Sequence, residues 1–406
     1  MKILHINASY KPAYIYGGPT VSVGKLCEEI SKVESRKLKV ESEGFVSDPP
    51  DNDMVGQEKI AVTVYTTLAN GREELPYQNG AVKIVDGVEV HYFKRITKDH
   101  SHLSPSFLIC LWKNIKKFDI VHIHAWWNLI SVGAVIICVL NRKKYILSPR
   151  GTLSYYSFYN RKSQIKRIFH YLIGKPILKK AIFQVSSEKE RKDIEAIVGT
   201  HQMYVIPNFV ELNVAWEKDA VIDLNHQKAE LLFFSRIEEK KGLEFLLNAC
   251  ALLTIPYHLT IAGHGDDNYV LKLKYLSKEL GIEKRITWLG QVPSADKFEV
   301  LSKYDLLVLT SYDENFANVV IESLACGTPV LLSPKVGLAD YVLKNEIGWV
   351  VAQDALLIAR ELERIFNHKK EQLMGIREKA KRIVKQDFAE DTLRKSYVQF
   401  YQEIIK

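Results

Sequence analysis

Several things are scarce in this sequence, and each scarcity removes a class of protein. Its five cysteines, Cys27, Cys110, Cys138, Cys250 and Cys326, lie far apart and form no C-x-x-C pair. That pattern excludes a disulfide framework and reads as reduced core thiols in a cytosolic protein. The longest apolar run, Leu129 to Leu140, is shorter than the roughly 20 residues a spanning helix needs. The opening strand, Lys2 to Asn7, leads into polar residues and reads as neither a signal peptide nor the G-x-G-x-x-G of a NAD-dependent dehydrogenase. The net charge of +8 is small for 406 residues and comes with no nucleic-acid-binding motif. A metal site is not expected: His122 and His124 share one strand face but lack a third ligand at suitable spacing. The D-x-D triplet Asp51-Asn52-Asp53 sits among prolines, within the variable excursion Ser47–Asn79, and reads as solvated loop.

What is present centres on residues 304–330. The apolar run Tyr304 to Thr310 predicts a strand. After a polar turn, Val319, Val320, Ile321, Leu324 and Ala325 recur at helical spacing until Gly327 and Pro329. In a parallel sheet such a turn lies at the carboxyl end of its strand, where open α/β sheets bind ligands beside a helix N-terminus. Glu314 lies in the turn and Glu322 follows eight residues later, about 12 Å along if all were helical. Two carboxylates so placed can reach hydroxyls at both ends of an extended ligand. Upstream, strand Leu231–Ser235 runs into Arg236 and Lys241-Gly242 just before a helix, a placement suited to a diphosphate.

These two elements resemble the E-x7-E and Arg…Lys-Gly elements of the retaining glycosyltransferases of family 4. The resemblance implies an α/β chain of GT-B fold: two facing Rossmann-like domains, a hinge, and a last helix that crosses back. It gives the donor sugar to Glu314 and the ribose to Glu322, and lets Arg236 and Lys241 neutralise the leaving diphosphate without a metal or other cofactor. Phe316, Ala317 and Asn318 border the sugar, with Ala317 where the family has Gly. Gly263, ending the strand of Leu259–Ala262, and Leu289, on strand Ile286–Val292, fall near the nucleotide and its base.

In the first half, Gly17-Gly18 opens a helix after the first strand, where paired glycines admit a ligand close to the backbone. The resemblance puts this loop by the donor phosphates and the acceptor. His124, Trp126 and Asn128 resemble the family's His-x-His-Gly-aromatic segment, with Ala125 in place of Gly, and are expected at the acceptor; Trp126 or Trp127 would cover a sugar face. Arg150 stands where many relatives carry His. It cannot act as a base near neutral pH, so it is expected to hold an anionic group of the acceptor or the departing diphosphate. The segment Tyr155–Lys180 has many Lys, Arg and aromatic residues and no acid, a composition suited to an anionic lipid surface. Ser187-x-x-Glu190 predicts a capping box.

The expected domains are residues 1–210 with the returning helix 388–406, and residues 211–387, with the polar stretch Glu211–Glu230 as linker. The expected activity is retaining transfer of a hexose-type sugar from a UDP- or GDP-linked donor to a lipid-linked saccharide, in lipopolysaccharide or capsule assembly. The enzyme would be cytoplasmic or peripheral on the inner membrane face. Two alternatives use the same donor site: a sugar-nucleotide epimerase of similar fold, and a nucleotide-sugar-binding protein without turnover.

Overall fold

A computed structural model describes residues 1–42, 60–159, 164–212, 228–368 and 370–406. The D-x-D triplet Asp51–Asp53, most of the excursion before residue 60, Arg161 and Lys162, and most of the expected linker lie outside the described residues. The chain divides into two compact units. The first comprises Met1–Ser186, Glu190–Phe209 and Glu390–Lys406, and the second Ser187–Lys189 and Val210–Ala389.

The first unit holds an eight-stranded sheet. From one edge to the other its strands are Met203–Val205, Ile182–Val185, Tyr145–Ser148, Ile120–His124, Lys2–Asn7, Ala61–Thr67, Val88–Phe93 and Ala81–Val85. Neighbours are parallel except the last two, which form a hairpin. Its turn is Asp86-Gly87, both at positive φ (49° and 80°), as a two-residue turn between twisted strands requires. The central strands read as continuous apolar runs because helices cover both faces: Ile120–His124 and Tyr145–Ser148 are buried throughout. From Lys2–Asn7 the chain builds outward to one side and later, from Ile120–His124, to the other. The sheet therefore has its topological switch point between those two strands.

The C-terminal helix, Glu390–Ile405, belongs to this unit and buries Leu393, Tyr397, Phe400, Tyr401 and Ile404. Arg394 pairs with Glu29 at 2.7 Å, and Lys144 Nζ donates to the Ile404 carbonyl at 2.7 Å. Phe388, expected in this helix, instead stacks edge-on with Phe316 and Tyr341 in the second unit. Glu190, expected in a capping box, accepts from the Ser186 amide and hydroxyl and from the Gly151 amide, tying the loop after strand Tyr145–Ser148 to helix Glu188–Val198.

The second unit holds six parallel strands in the order Ile286–Gly290, Tyr257–Ala262, Ala229–Phe234, Leu306–Leu309, Val330–Leu332, Gly348–Val350. In chain order this is 3-2-1-4-5-6, with its switch point between Ala229–Phe234 and Leu306–Leu309. No described helix in either unit is long and apolar enough to cross a membrane.

Candidate functional site

In the second unit, the loops leaving the two switch-point strands meet. Gly242 adopts a left-handed backbone (φ 61°) and lies so close to the Thr310 carbonyl that a Cβ there would come within 2.5 Å of its oxygen. Thr310 Oγ1 donates to the Gly242 carbonyl at 2.7 Å, and the Tyr312 amide donates to the Lys240 carbonyl at 2.9 Å. This stitching sets Lys241 Nζ in an ion pair with Glu314 and Lys240 Nζ 3.3 Å from Asp313. Lys241 is itself buried, 8% exposed. The structure thus joins Lys241 and Glu314, whereas Arg236 is mostly exposed and pairs with Glu238 at 2.7 Å.

Glu322 is not joined to Glu314. Only Asn318–Ala325 is helical, and Glu314 lies in extended backbone bridged to Val336, so the two glutamates do not share one helix. Glu322 is buried against Lys297 at 2.8 Å, and its carboxyl is raised by burial, which Lys297 only partly offsets. Lys297, like Lys240, was not anticipated; each gains its meaning from a partner on another loop.

Three expected donor contacts change character. Phe316 is 2% exposed and packs on Phe388, so its ring cannot touch a ligand; only its backbone is left for that role. Gly263 is required by the protein itself, since a Cβ would lie 1.8 Å from the Ser235 carbonyl oxygen. The loops after strands Ala229–Phe234 and Tyr257–Ala262 are zipped there by Ser235 N to Ala262 O and Ile237 N to His264 O. Ala317 precedes the helix at φ 70°, a left-handed conformation that suits Gly better. Asn318 is the first helical residue, and Leu289 is 44% exposed on strand Ile286–Gly290.

In the first unit the switch point is filled by imidazoles. His5, on strand Lys2–Asn7, lies in register with His122 on Ile120–His124. His5 Nδ1 is 3.0 Å from His124 Nε2, and Arg150 Nε donates to His124 Nδ1 at 3.2 Å. His124 therefore carries its proton on Nε2 and gives it toward His5. His122 bridges Tyr401 (Nδ1 to OH, 2.7 Å) and Ser148 (Nε2 to Oγ, 2.6 Å). Ser148 in turn donates to Gln184, whose amide donates to the Ile206 carbonyl at 2.6 Å. Since Ser148 spends its single proton on Gln184, His122 donates through Nε2 and accepts the Tyr401 proton at Nδ1. Burial, with Arg150 nearby, lowers the His5 pKa to about 3 and holds His122 and His124 well below their ordinary value. All three are neutral.

His5 is thus the third imidazole that spacing did not reveal, and ligand nitrogens of the three lie within 4.8 Å of one another. The set nevertheless fits a cation poorly. The Nδ1 of each ring already accepts a hydrogen bond, and a guanidinium donates directly into the cluster.

Arg150 is fixed in a left-handed backbone position (φ 50°) by His124, by Ser22 Oγ at 3.2 Å and by Asn208 Oδ1 at 2.9 Å. No described carboxylate lies within ion-pair distance of it, and burial lowers its pKa. Trp126 does not offer a face to a sugar: it is fully buried in the core beneath the sheet, because Ala125, at φ 63°, turns the chain inward after the strand. Trp127 is half-buried against Phe158, Phe169 and His170. Asn128 is nearly buried and caps helix Leu129–Leu140, its Oδ1 accepting from the Ser131 amide at 2.8 Å. Gly17 (φ 66°) and Gly18 sit at the start of helix Gly18–Ser42, and a Cβ on either would meet nothing within 4 Å.

Comparison with known proteins agrees with this architecture. A family profile described as "Glycosyl transferases group 1" matches residues 214–383, and one described as "Glycosyltransferase Family 4" matches residues 56–214. The "Uncharacterized glycosyltransferase MJ1607" of Methanocaldococcus jannaschii is 25% identical over 311 residues, covering 71% of this chain and 76% of that protein. An "Uncharacterized 41.2 kDa protein in cps region" of Klebsiella pneumoniae is 23% identical over 328 residues, covering 76% and 86%. Among solved structures, Anabaena Alr3699/HepE in complex with UDP and glucose superposes with a TM-score of 0.68. It is 18% identical over 99% of this chain and 100% of that one.

Proposed function

We propose, from the premise that this chain belongs to the family 4 glycosyltransferases and has their GT-B pair of Rossmann-like domains, that it moves a sugar from a nucleotide donor to an acceptor hydroxyl with retention. The observation that carries this reading is the meeting of Lys241 and Glu314 across the second unit's switch point. A lysine already matched to a carboxylate is held in place, and a diphosphate arriving there gains a charge-assisted contact without first desolvating a free cation. Arg236, exposed on the loop that leads to Lys241, adds a second. Glu314 then takes the sugar hydroxyls and Glu322 the ribose.

As the bond from the anomeric carbon to the diphosphate oxygen lengthens, positive charge grows on the sugar and negative charge on the leaving oxygen, which Lys241 and Arg236 stabilise. The acceptor hydroxyl attacks from the face the diphosphate leaves, and its proton passes to the departing phosphate oxygen. No protein base is needed, in keeping with an arginine at position 150 and with a His124 whose Nδ1 is already occupied. No metal is invoked, and Glu314 is not a nucleophile; a trapped glycosyl-enzyme on Glu314 would overturn that point.

A UDP-linked hexose is the first donor to test, since the Anabaena structure holds UDP and glucose. A lipid-linked saccharide acceptor in surface polysaccharide assembly is supported by the relative from a cps region and by segment 155–180, where Tyr155, Tyr159, Ile168, Tyr171, Leu172 and Ile173 are exposed. That segment would touch an anionic membrane from the cytoplasmic side. The test is a thermal-shift screen of UDP- and GDP-sugars followed by a transfer assay on lipid-linked acceptors. Stabilisation by one donor with product formed supports the reading; donor release as a free epimer without acceptor would replace it with an epimerase.

A further inference from the structure

The end of the first unit's sheet away from the switch-point loops carries an unexpected row of charge. Lys116 and Lys117 immediately precede strand Ile120–His124, Arg142, Lys143 and Lys144 precede Tyr145–Ser148, and Lys179 and Lys180 precede Ile182–Val185. These three strands are adjacent in the sheet, about 4.8 Å apart. Lys2 opens the next strand over. All but Lys143 are exposed. Lys144 reaches the Ile404 carbonyl at the end of the C-terminal helix. The nearest acid in sequence is Asp119, which accepts from the Lys2 amide at 2.6 Å. Residues 105–117, 129–144 and 170–180 contain no acid at all.

Beside this row, two packed helices leave an apolar stripe uncovered. Gly133 of helix Leu129–Leu140 sits against Leu108 of helix Pro105–Asn114, so the pair is close-packed on that side. Outward, Ile109 (56% exposed) and Trp112 (52%) of the first helix, and Leu129, Ile136 and Leu140 (65%) of the second, face solvent. Positions 129, 136 and 140 are two and three turns apart on one face, as are 109 and 112 at one turn. Neither helix carries a charge before its last turn.

Cations in a row beside a tryptophan and aliphatic side chains match the two layers of a bilayer surface: phosphate headgroups outside, acyl chains just beneath. A nucleic acid would match the cations and leave Ile109 and Leu140 in water. We propose that this edge, with the outward stripe of the two helices, docks the protein on an anionic lipid bilayer. The proposal deepens the membrane contact proposed above, moving its centre from the middle of segment 155–180 to the amino ends of the strands. It does not depend on which sugar is moved.

The test is flotation of the full chain with vesicles of phosphatidylcholine, with and without phosphatidylglycerol. The wild type is expected to float only with the anionic vesicles and to be released by salt. Combined Lys116→Glu, Lys117→Glu, Arg142→Glu and Lys143→Glu should weaken partitioning by about tenfold or more. Trp112→Ser with Leu140→Ser should weaken it about tenfold. Tyr171→Ser with Leu172→Ser should change it less than either. Thermal melting verifies that each variant is folded. Transfer to a water-soluble acceptor should stay at the wild-type rate in all of them, which separates loss of docking from failure of the proposed reaction. The proposal is overturned if the wild type fails to float, if it floats equally with neutral vesicles, if the edge variants float like wild type, or if only the Tyr171/Leu172 variant is released.

Discussion

Between strands Lys2–Asn7 and Ile120–His124 the first unit stacks three neutral imidazoles, wholly buried, in two hydrogen-bond chains: Arg150 donates to His124 and His124 to His5, while Tyr401 donates to His122 and His122 to Ser148, and no described carboxylate lies within ion-pair distance of Arg150. Between strands Ala229–Phe234 and Leu306–Leu309 the second unit sets lysine against carboxylate, Lys241 with Glu314 and Lys240 with Asp313, with Lys241 and Asp313 buried and Glu314 and Lys240 partly exposed. Topology is shared, since both places are where a parallel sheet reverses its direction of growth. The chemistry is opposite. A neutral, buried hydrogen-bonded network is rigid, so it positions a group without changing on binding. A lysine already matched to a carboxylate is held in place for a second acceptor, so such pairs accept a new anion. On this view the first unit orients and the second receives charge.

The sharpest way to break the contrast is at Lys241. Lys241→Ala should lower the transfer rate by roughly 100- to 1,000-fold while the melting transition persists, and Arg236→Ala should fall in the same direction by less, as its side chain is more exposed. Steady-state kinetics with a working donor measures both; a near-normal rate in Lys241→Ala removes the second unit from the chemistry. The corresponding change in the first unit, Arg150→Met, should cost about 10- to 100-fold in transfer yet leave donor binding by calorimetric titration unchanged. Equal loss of donor affinity in the two variants would erase the division of labour.

Acid should also separate the units. Unfolded histidines take up protons below about pH 6.5, whereas folded His5 does so only near 3 and His122 and His124 lie well below the ordinary value. The unfolded first unit thus binds more protons, and its stability falls as pH drops from about 6.5 toward 4. Glu322 in the second unit works with the opposite sign: burial raises its carboxyl, so the folded form takes up its proton first, and acidification toward its ordinary value removes a destabilising charge. Scanning calorimetry at pH 7.5 and 5.5, with hydrogen exchange to assign the transitions, should show the first unit losing more. An equal or larger loss in the second unit would contradict the imidazole assignment.

The smallest effect expected is at the two alanines held left-handed, one after each unit's site strand. Ala125→Gly and Ala317→Gly should each stabilise by about 1 kcal/mol, some 2–4 °C in melting temperature, because a Cβ at positive φ is strained. No gain at either position would mean that the surrounding loop, not the residue, holds the backbone there.

Much of this was readable in order along the chain. Parallel strands are apolar runs with polar loops at their ends, so the strand bearing His124, the strands leading to Arg236 and Glu314 and the helix bearing Glu322 announce themselves, as does the hairpin turn at Asp86-Gly87. The two positions where Ala replaces a family glycine proved to be left-handed, which local sequence alone hints at only through that departure. Other readings failed for one reason. Trp126 and Phe316 look like ligand-facing aromatics in a loop, but which way a loop folds over its core depends on neighbours distant in sequence. Gly263 reads as lying near the nucleotide, and local sequence does not show that it also makes room for the Ser235 carbonyl.

By itself, then, the sequence determined the kinds of element, their order and the chemical groups at the strand ends, since hydrophobic periodicity and turn residues act over a few neighbours. Only the tertiary structure decided partnership: that His5 joins His122 and His124, that Lys241 answers Glu314 while Lys297 answers Glu322, and that cations scattered over residues 2–180 stand in one row. Register between parallel strands brings together residues more than a hundred positions apart, and no local pattern encodes which strand will lie beside which.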